Sequence, residues 1–148
     1  MTLKAVIIED ESSSREILRN YLAKYCKNVD VLGEAASVRE GMELLTQTQP
    51  DVVFLDVEMP FGNAFDLLDQ LPERSFETVF VTAYNTYALE ALNNHAAYYL
   101  MKPINIDELI KSVSYVAEIK EKENALEDRI LKSKSNKAEG KITMPQQD

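Results

Sequence analysis

VVFLDVEMP, residues 52–60, runs through four apolar residues and then sets a carboxylate, Asp56, where the run stops, with a second acid two places on at Glu58. An unbroken apolar run rich in branched side chains is the pattern of a strand buried on both faces, which belongs to a parallel sheet covered on both sides. AVII (5–8) and VFV (79–81) repeat it. VDVLGEA (29–35) alternates more and reads as an edge strand, and AAYYLM (96–101) makes a fifth.

Segments of helical period lie between these runs. SSSREILRNYLAKYC (12–26) puts Ile17, Leu18, Tyr21 and Leu22 on one face and gives Ser13 and Glu16 the spacing of a capping box. SVREGMELL (37–45) repeats the device with Ser37 and Glu40, and Val38, Met42, Leu44 and Leu45 supply its apolar face. NAFDLLDQL (63–71), NTYALEALNN (85–94) and NIDELIKSVSYVAEI (105–119) complete the alternation, the last capped by Asn105 with Asp107 and Glu108 in the favourable first turn. Five strands alternating with five helices through short loops call for a doubly wound α/β domain with right-handed crossovers.

The bulk numbers agree with one domain and a tail. The chain has 148 residues, enough to bury a core without staples, and one cysteine, Cys26, which has no partner within it. MTLKAVIIED lacks the features of a secretory signal, no apolar stretch approaches the roughly 20 residues of a membrane helix, and the expected home is the cytoplasm. The formal net charge of −9 disfavours DNA binding by this chain alone. Residues 1–117 hold 9 basic and 18 acidic groups, whereas 118–148 hold 7 of each, so a boundary is expected near residue 120.

Ligands of an open parallel sheet bind beyond the carboxyl ends of its strands. The first strand there delivers Glu9, Asp10 and Glu11, the third Asp56, the fourth Thr82, and the fifth Lys102 followed by Pro103. A lone aspartate at a strand end is more often a turn or helix cap, Thr82 alone can be a buried strand hydroxyl, and Lys102 alone a solvated strand end. Their conjunction on one rim is what points to chemistry. Two carboxylates about 5 Å apart repel by on the order of 3 kcal/mol at an effective dielectric near 20, so a cation belongs between them. A hard ion with oxygen ligands, Mg²⁺, suits the donor set. A carboxylate beside such an ion can attack phosphorus and hold the phosphoryl group as an acyl phosphate, and Asp56 is the candidate.

IIED, FLDVEMP, FVTAY and YYLMKP, in that order and spacing, resemble the receiver domain of a two-component response regulator from residue 2 to about 119. The resemblance implies a CheY-like (flavodoxin-like) doubly wound five-stranded parallel sheet, order 2-1-3-4-5, with five helices and an extended last helix. It implies Asp56 as phosphoacceptor from a histidine kinase, Mg²⁺ held by Glu9, Asp10, Asp56 and the Glu58 backbone carbonyl, Thr82 as the hydroxyl that follows the phosphoryl group, Lys102 as its cationic partner beside a cis Pro103, and Tyr99 as the switch aromatic. It further implies homodimerisation through the face of helix 4, strand 5 and helix 5, with no enzymatic turnover. The segment from FVTAY to LMKPI is similar to receivers of the LytTR transcription-regulator class. A receiver over 1–120, a charged helical extension and linker over 121–140 ended by Gly140, and KITMPQQD (141–148) as the start of a truncated DNA-binding domain are therefore expected, with DNA bound only through that missing domain. One departure is Ala64, where many receivers have glycine, with Gly62 earlier, so the loop after Pro60 is expected to take a different path.

Two other readings compete. A haloacid-dehalogenase-like Mg²⁺-dependent phosphatase also uses a strand-end aspartate, a threonine and a lysine, but it wants a second aspartate where Glu58 stands. A flavodoxin-like carrier needs a phosphate-cradling loop after the first strand, and EDESSS opens with three acids.

Overall fold

Each of the apolar runs can hide both its faces only inside a sheet, and the chain builds one sheet from them. The computed structural model describes residues 1–143, with side-chain environments in the last helix through residue 135. Its sheet contains β1 (Leu3–Ile8), β2 (Val29–Ala35), β3 (Val52–Leu55), β4 (Glu77–Thr82) and β5 (Tyr98–Met101). They lie in the order β2-β1-β3-β4-β5 and every pairing is parallel, the expected fold class and order. β2 is an edge strand and alternates in burial accordingly.

The sheet divides two cores. Leu3, Ala5, Ile7, Phe54, Val79, Val81 and Leu100 point to one side, where they meet Leu18 and Leu22 of α1 (Ser12–Tyr25) and Leu109, Val113 and Val116 of α5 (Ile106–Thr143). Val6, Ile8, Val53, Leu55 and Phe80 point to the other, against Met42 and Leu45 of α2 (Val38–Gln47) and Phe65, Leu67 and Leu68 of α3 (Ala64–Asp69). α4 (Ala88–Asn93) adds Ala91 to that second core. It is six residues long, shorter than the helical pattern over 85–94 suggests.

The caps differ in outcome. The Ser37 hydroxyl accepts the Glu40 amide at 3.1 Å, and Asn105 accepts the Glu108 amide at 3.0 Å, as their spacing predicts. The Ser13 box does not form, because α1 starts at Ser12 with Glu11 as its cap residue and Ser13 is already inside the first turn. Ile17, on the same helix, stays half exposed. A box that the spacing analysis passed over does form at α3, where Asn63 accepts the Asp66 amide at 3.1 Å and Asp66 accepts the Asn63 amide at 3.1 Å.

That cap finishes the loop after Asp56. Glu58–Met59 and Gly62–Asn63 pair as a two-residue antiparallel ladder, with Phe61 at φ 62° and Gly62 at φ 154° making the reversal. Ala64 is fully buried at its end, and the Ala64 amide donates to the Val57 carbonyl at 2.9 Å.

Residues Met1–Ala117 form one compact unit, and the described residues from Glu118 onward belong to a second. In the second, Glu118 pairs with Lys122 at 3.2 Å and Lys120 with Glu123 at 3.2 Å, while Leu126, Ile130 and Leu131 are exposed. Gly140 does not end the helix, which runs on to Thr143: a lone glycine costs a helix about 1 kcal/mol against alanine, which weakens the turn without stopping it. Lys141 to Thr143 are thus helical, and residues 144–148 of KITMPQQD lie outside the described residues. No helix among the described residues is long and apolar enough to cross a membrane.

Leu109 is fully buried and Leu89 is 70% exposed, which separates their energetics. Leu109→Ala is expected to lower the free energy of unfolding in urea by about 2–5 kcal/mol, and Leu89→Ala to move it by less than about 0.5 kcal/mol.

Candidate functional site

The rim at the carboxyl ends of β1, β3, β4 and β5 is assembled by ladder hydrogen bonds that continue one residue past β1, β3 and β5, with Thr82 the last residue of β4. The Glu9 amide donates to the Ala35 carbonyl at 2.9 Å, the Asp56 amide to Ile8 at 3.0 Å, and the Lys102 amide to Thr82 at 2.8 Å. The backbone therefore delivers Glu9, Asp56, Thr82 and Lys102 side by side, whatever their side chains prefer. The peptide bond from Lys102 to Pro103 is cis.

Two of the carboxylates on this rim are almost fully buried, Glu9 at 5% exposure and Asp56 at 7%, with Asp10 half-buried beside them. One oxygen from each of Glu9, Asp10 and Asp56 falls within 4.8 Å of the others. At that spacing two ionised carboxylates repel by on the order of 3 kcal/mol at an effective dielectric near 20, so the cluster depends on a positive partner. Lys102 provides one: its ammonium donates to Glu9 Oε1 and lies 3.2 Å from Asp56 Oδ2.

Lys102 leaves one position unfilled. Asp56 Oδ1 is buried without any hydrogen-bond partner, an arrangement that costs free energy unless something else uses the oxygen. One oxygen from each of three acids this close together is the donor set a hard divalent cation takes, so the residues present fit Mg²⁺.

Burial, the largest influence on Glu9, combines with the charge of Asp56 to raise its pKa from 4.5 to about 7, against the opposing hydrogen bond from Lys102. Burial alone would lower the Lys102 ammonium, but its bonds to Glu9 and Asp56 and their charges together raise it above the ordinary lysine value.

Thr82 is fully buried, and its hydroxyl accepts the Tyr84 amide at 3.4 Å. Tyr99 packs in the second core, 6.1 Å from the Phe80 ring, and donates its hydroxyl to the Tyr84 carbonyl; Tyr98 belongs to the opposite core, as adjacent strand residues must. The Glu58 carboxylate is exposed and engaged with Tyr84 and Tyr87: its charge is the main cause that raises the Tyr84 hydroxyl above the usual tyrosine pKa, while burial first and Glu58 second raise Tyr87. A cavity of about 200 Å³ is lined by Ile17, Leu18, Phe54 and Ile104 together with Asp56 and Lys102.

One member of the rim is absent from the motif reading. Arg15, one turn into α1, donates through one guanidinium nitrogen to the carbonyls of Glu9 at 2.6 Å and Asp10 at 3.1 Å. Nothing at the strand ends announces it, since it reaches the rim from a helix.

A family model for the response regulator receiver domain matches residues 5–114. The chain belongs to the response regulator receiver domain family. Among curated relatives, a response regulatory protein of Vibrio cholerae is 44% identical over 112 residues, 75% of this chain and 47% of that protein. The transcriptional regulatory protein BtsR of Escherichia coli is 33% identical over 123 residues, 82% of this chain and 51% of that one. The receiver thus spans about half the length of these relatives. The receiver (REC) domain of AraT, a response regulator from Geobacillus stearothermophilus, superposes with a TM-score of 0.74 at 30% identity, covering 84% of this chain and 99% of that one. Membership removes the phosphatase and flavodoxin readings, and the Glu58 carboxylate is in any case turned to tyrosines.

A raised Glu9 pKa has a definite sign in the metal-free receiver. Between 4.5 and about 7 the native state binds a proton that the unfolded chain has released, so stability falls as pH rises through that window. The thermal midpoint of wild type relative to Glu9→Gln is expected to drop from pH 4.5 to 7 and level off above, measured in the presence of a chelator. A difference constant across the range would show that Glu9 titrates normally.

Proposed function

We propose that this receiver accepts a phosphoryl group on Asp56 from a sensor histidine kinase and passes the signal to a LytTR-type DNA-binding domain in the full-length regulator. The buried, unpartnered Asp56 Oδ1 carries the reading: it is a nucleophile kept out of every hydrogen bond. Its attack on a phosphohistidine forms the O–P bond and breaks the P–N bond, and the imidazole leaves as its electron pair returns to nitrogen. Lys102, already beside Asp56, neutralises one phosphoryl oxygen, and the Thr82 hydroxyl donates to another after giving up the Tyr84 amide.

Glu9, Asp10, Asp56 and the Glu58 carbonyl would hold Mg²⁺, which when bound supplies positive charge against the acids and the phosphoryl oxygens. Once Thr82 moves, the hydrogen bond of Tyr99 to Tyr84 is the contact that has to rearrange. Leu89 and Leu92 on α4, Met101 on β5 and Tyr115 on α5 are exposed in the same unit and offer an apolar face for a second copy, so the switch biases dimerisation. Support for the DNA-binding half comes from the LytTR-like run FVTAYNTYALEALNNHAAYYLMKPI and from a relative named as a transcriptional regulator, of which the matched stretch covers 51%. The reading places the protein in the cytoplasm and makes it a one-phosphoryl switch.

Incubation with acetyl phosphate and Mg²⁺ is expected to add the mass of one phosphoryl group to wild type and none to Asp56→Asn, read by intact-protein mass spectrometry, and a chelator is expected to abolish labelling. Equal labelling of both proteins would move the acceptor elsewhere.

A further inference from the structure

The acid-bearing turn between β1 and α1 has no regular structure, yet it must hold Glu9 and Asp10 against mutual repulsion within 4.8 Å of an Asp56 oxygen. The amide of Glu11 reaches back to Glu9 Oε2 at 3.2 Å, which steadies one carboxylate. The stronger restraint comes from Arg15. Its guanidinium caps the carbonyls of Glu9 and Asp10, two successive residues of the turn, from a side chain anchored in α1. Nε of the same group lies 3.6 Å from Glu34 Oε1 on β2, and Glu34 is itself held by Arg19 at 2.7 Å. A chain of contacts thus runs from the edge strand through Arg15 into the backbone that carries two of the three acids.

We propose that Arg15 is a positioning residue for the cation site: by clamping both carbonyls it fixes where the Glu9 and Asp10 carboxylates point, and Glu34 fixes Arg15. This rests on the reading of the site as a Mg²⁺ centre. The planar guanidinium suits the task because Nη1, on the two carbonyls, and Nε, toward Glu34, are held in one rigid plane, whereas a lysine offers one mobile ammonium. Groups that orient metal ligands from behind change metal affinity by about 10–100-fold when removed.

Arg15 is also a positive charge near the ion, and the two roles predict opposite effects. Loss of charge alone tightens Mg²⁺ binding; loss of the clamp weakens it. Calorimetric titration of the full chain with MgCl₂ separates them, using Arg15→Lys, which keeps the charge, and Arg15→Gln, which does not. The expected result is about tenfold weaker Mg²⁺ binding in both variants, with thermal midpoints in chelator showing that each is folded. Glu34→Gln leaves both carbonyl contacts available but frees Nε of the guanidinium, and is expected to lose less affinity in the same direction; it serves as the test if either Arg15 variant unfolds. Unchanged affinity in Arg15→Lys, or tighter binding in Arg15→Gln, overturns the proposal and leaves Arg15 as a structural tie between α1 and the sheet. Wild type that takes up no Mg²⁺ overturns the metal reading itself and this inference with it.

Discussion

Everything at the carboxyl rim depends on keeping several acids together in a place with little water. Glu9 and Asp56 are nearly buried, and one ammonium, Lys102, touches both. Removing one partner of a buried charge set is far costlier than the set is stabilising, because the remaining charge is left without solvent or counterion. Three clustered acids face one ammonium, and Asp56 Oδ1 receives no hydrogen bond from the protein. A cation held there would offset the repulsion among the acids and then the negative charge of an incoming phosphoryl group.

The geometry that concentrates this charge is inexpensive to build. Parallel strands all present their carboxyl ends at one edge, and the ladder bonds that extend one residue beyond β1, β3 and β5 set the register of the functional side chains. Helices contribute restraint from outside the sheet. α1 sends Arg15 back to the acid turn, and the ladder and cap around residues 58–66 close the loop that follows Asp56. The loop leading into α4 is tied twice to the same region, by the Tyr84 amide at Thr82 and by the Tyr99 hydroxyl at the Tyr84 carbonyl.

Strands were the most legible part of the sequence, since unbroken runs such as VVFL have no stable place outside a two-sided sheet. The acids, Thr82 and Lys102 were legible for a related reason, being polar residues set at the points where apolar runs stop. Helix starts were less so: Ser13 and Ser37 have identical local spacing, and only Ser37 caps, because the chain after β1 turns helical two residues too early for Ser13. Arg15 was illegible, as its function depends on where a helix lies relative to a turn. α4 came out shorter than its pattern, and Leu89 and Leu92 within it face solvent, so its apolar residues overstate its burial.

The central sheet also insulates. Neighbouring residues along each strand commit to different sides, so Phe54 and Leu55, or Tyr98 and Tyr99, belong to cores that share a backbone but few side-chain contacts. Energetic coupling between substitutions fades when they have no common neighbour. Variation in the α1/α5 half can therefore accumulate nearly independently of the α2/α3 half, which frees one flank of the molecule to drift while the other stays fixed.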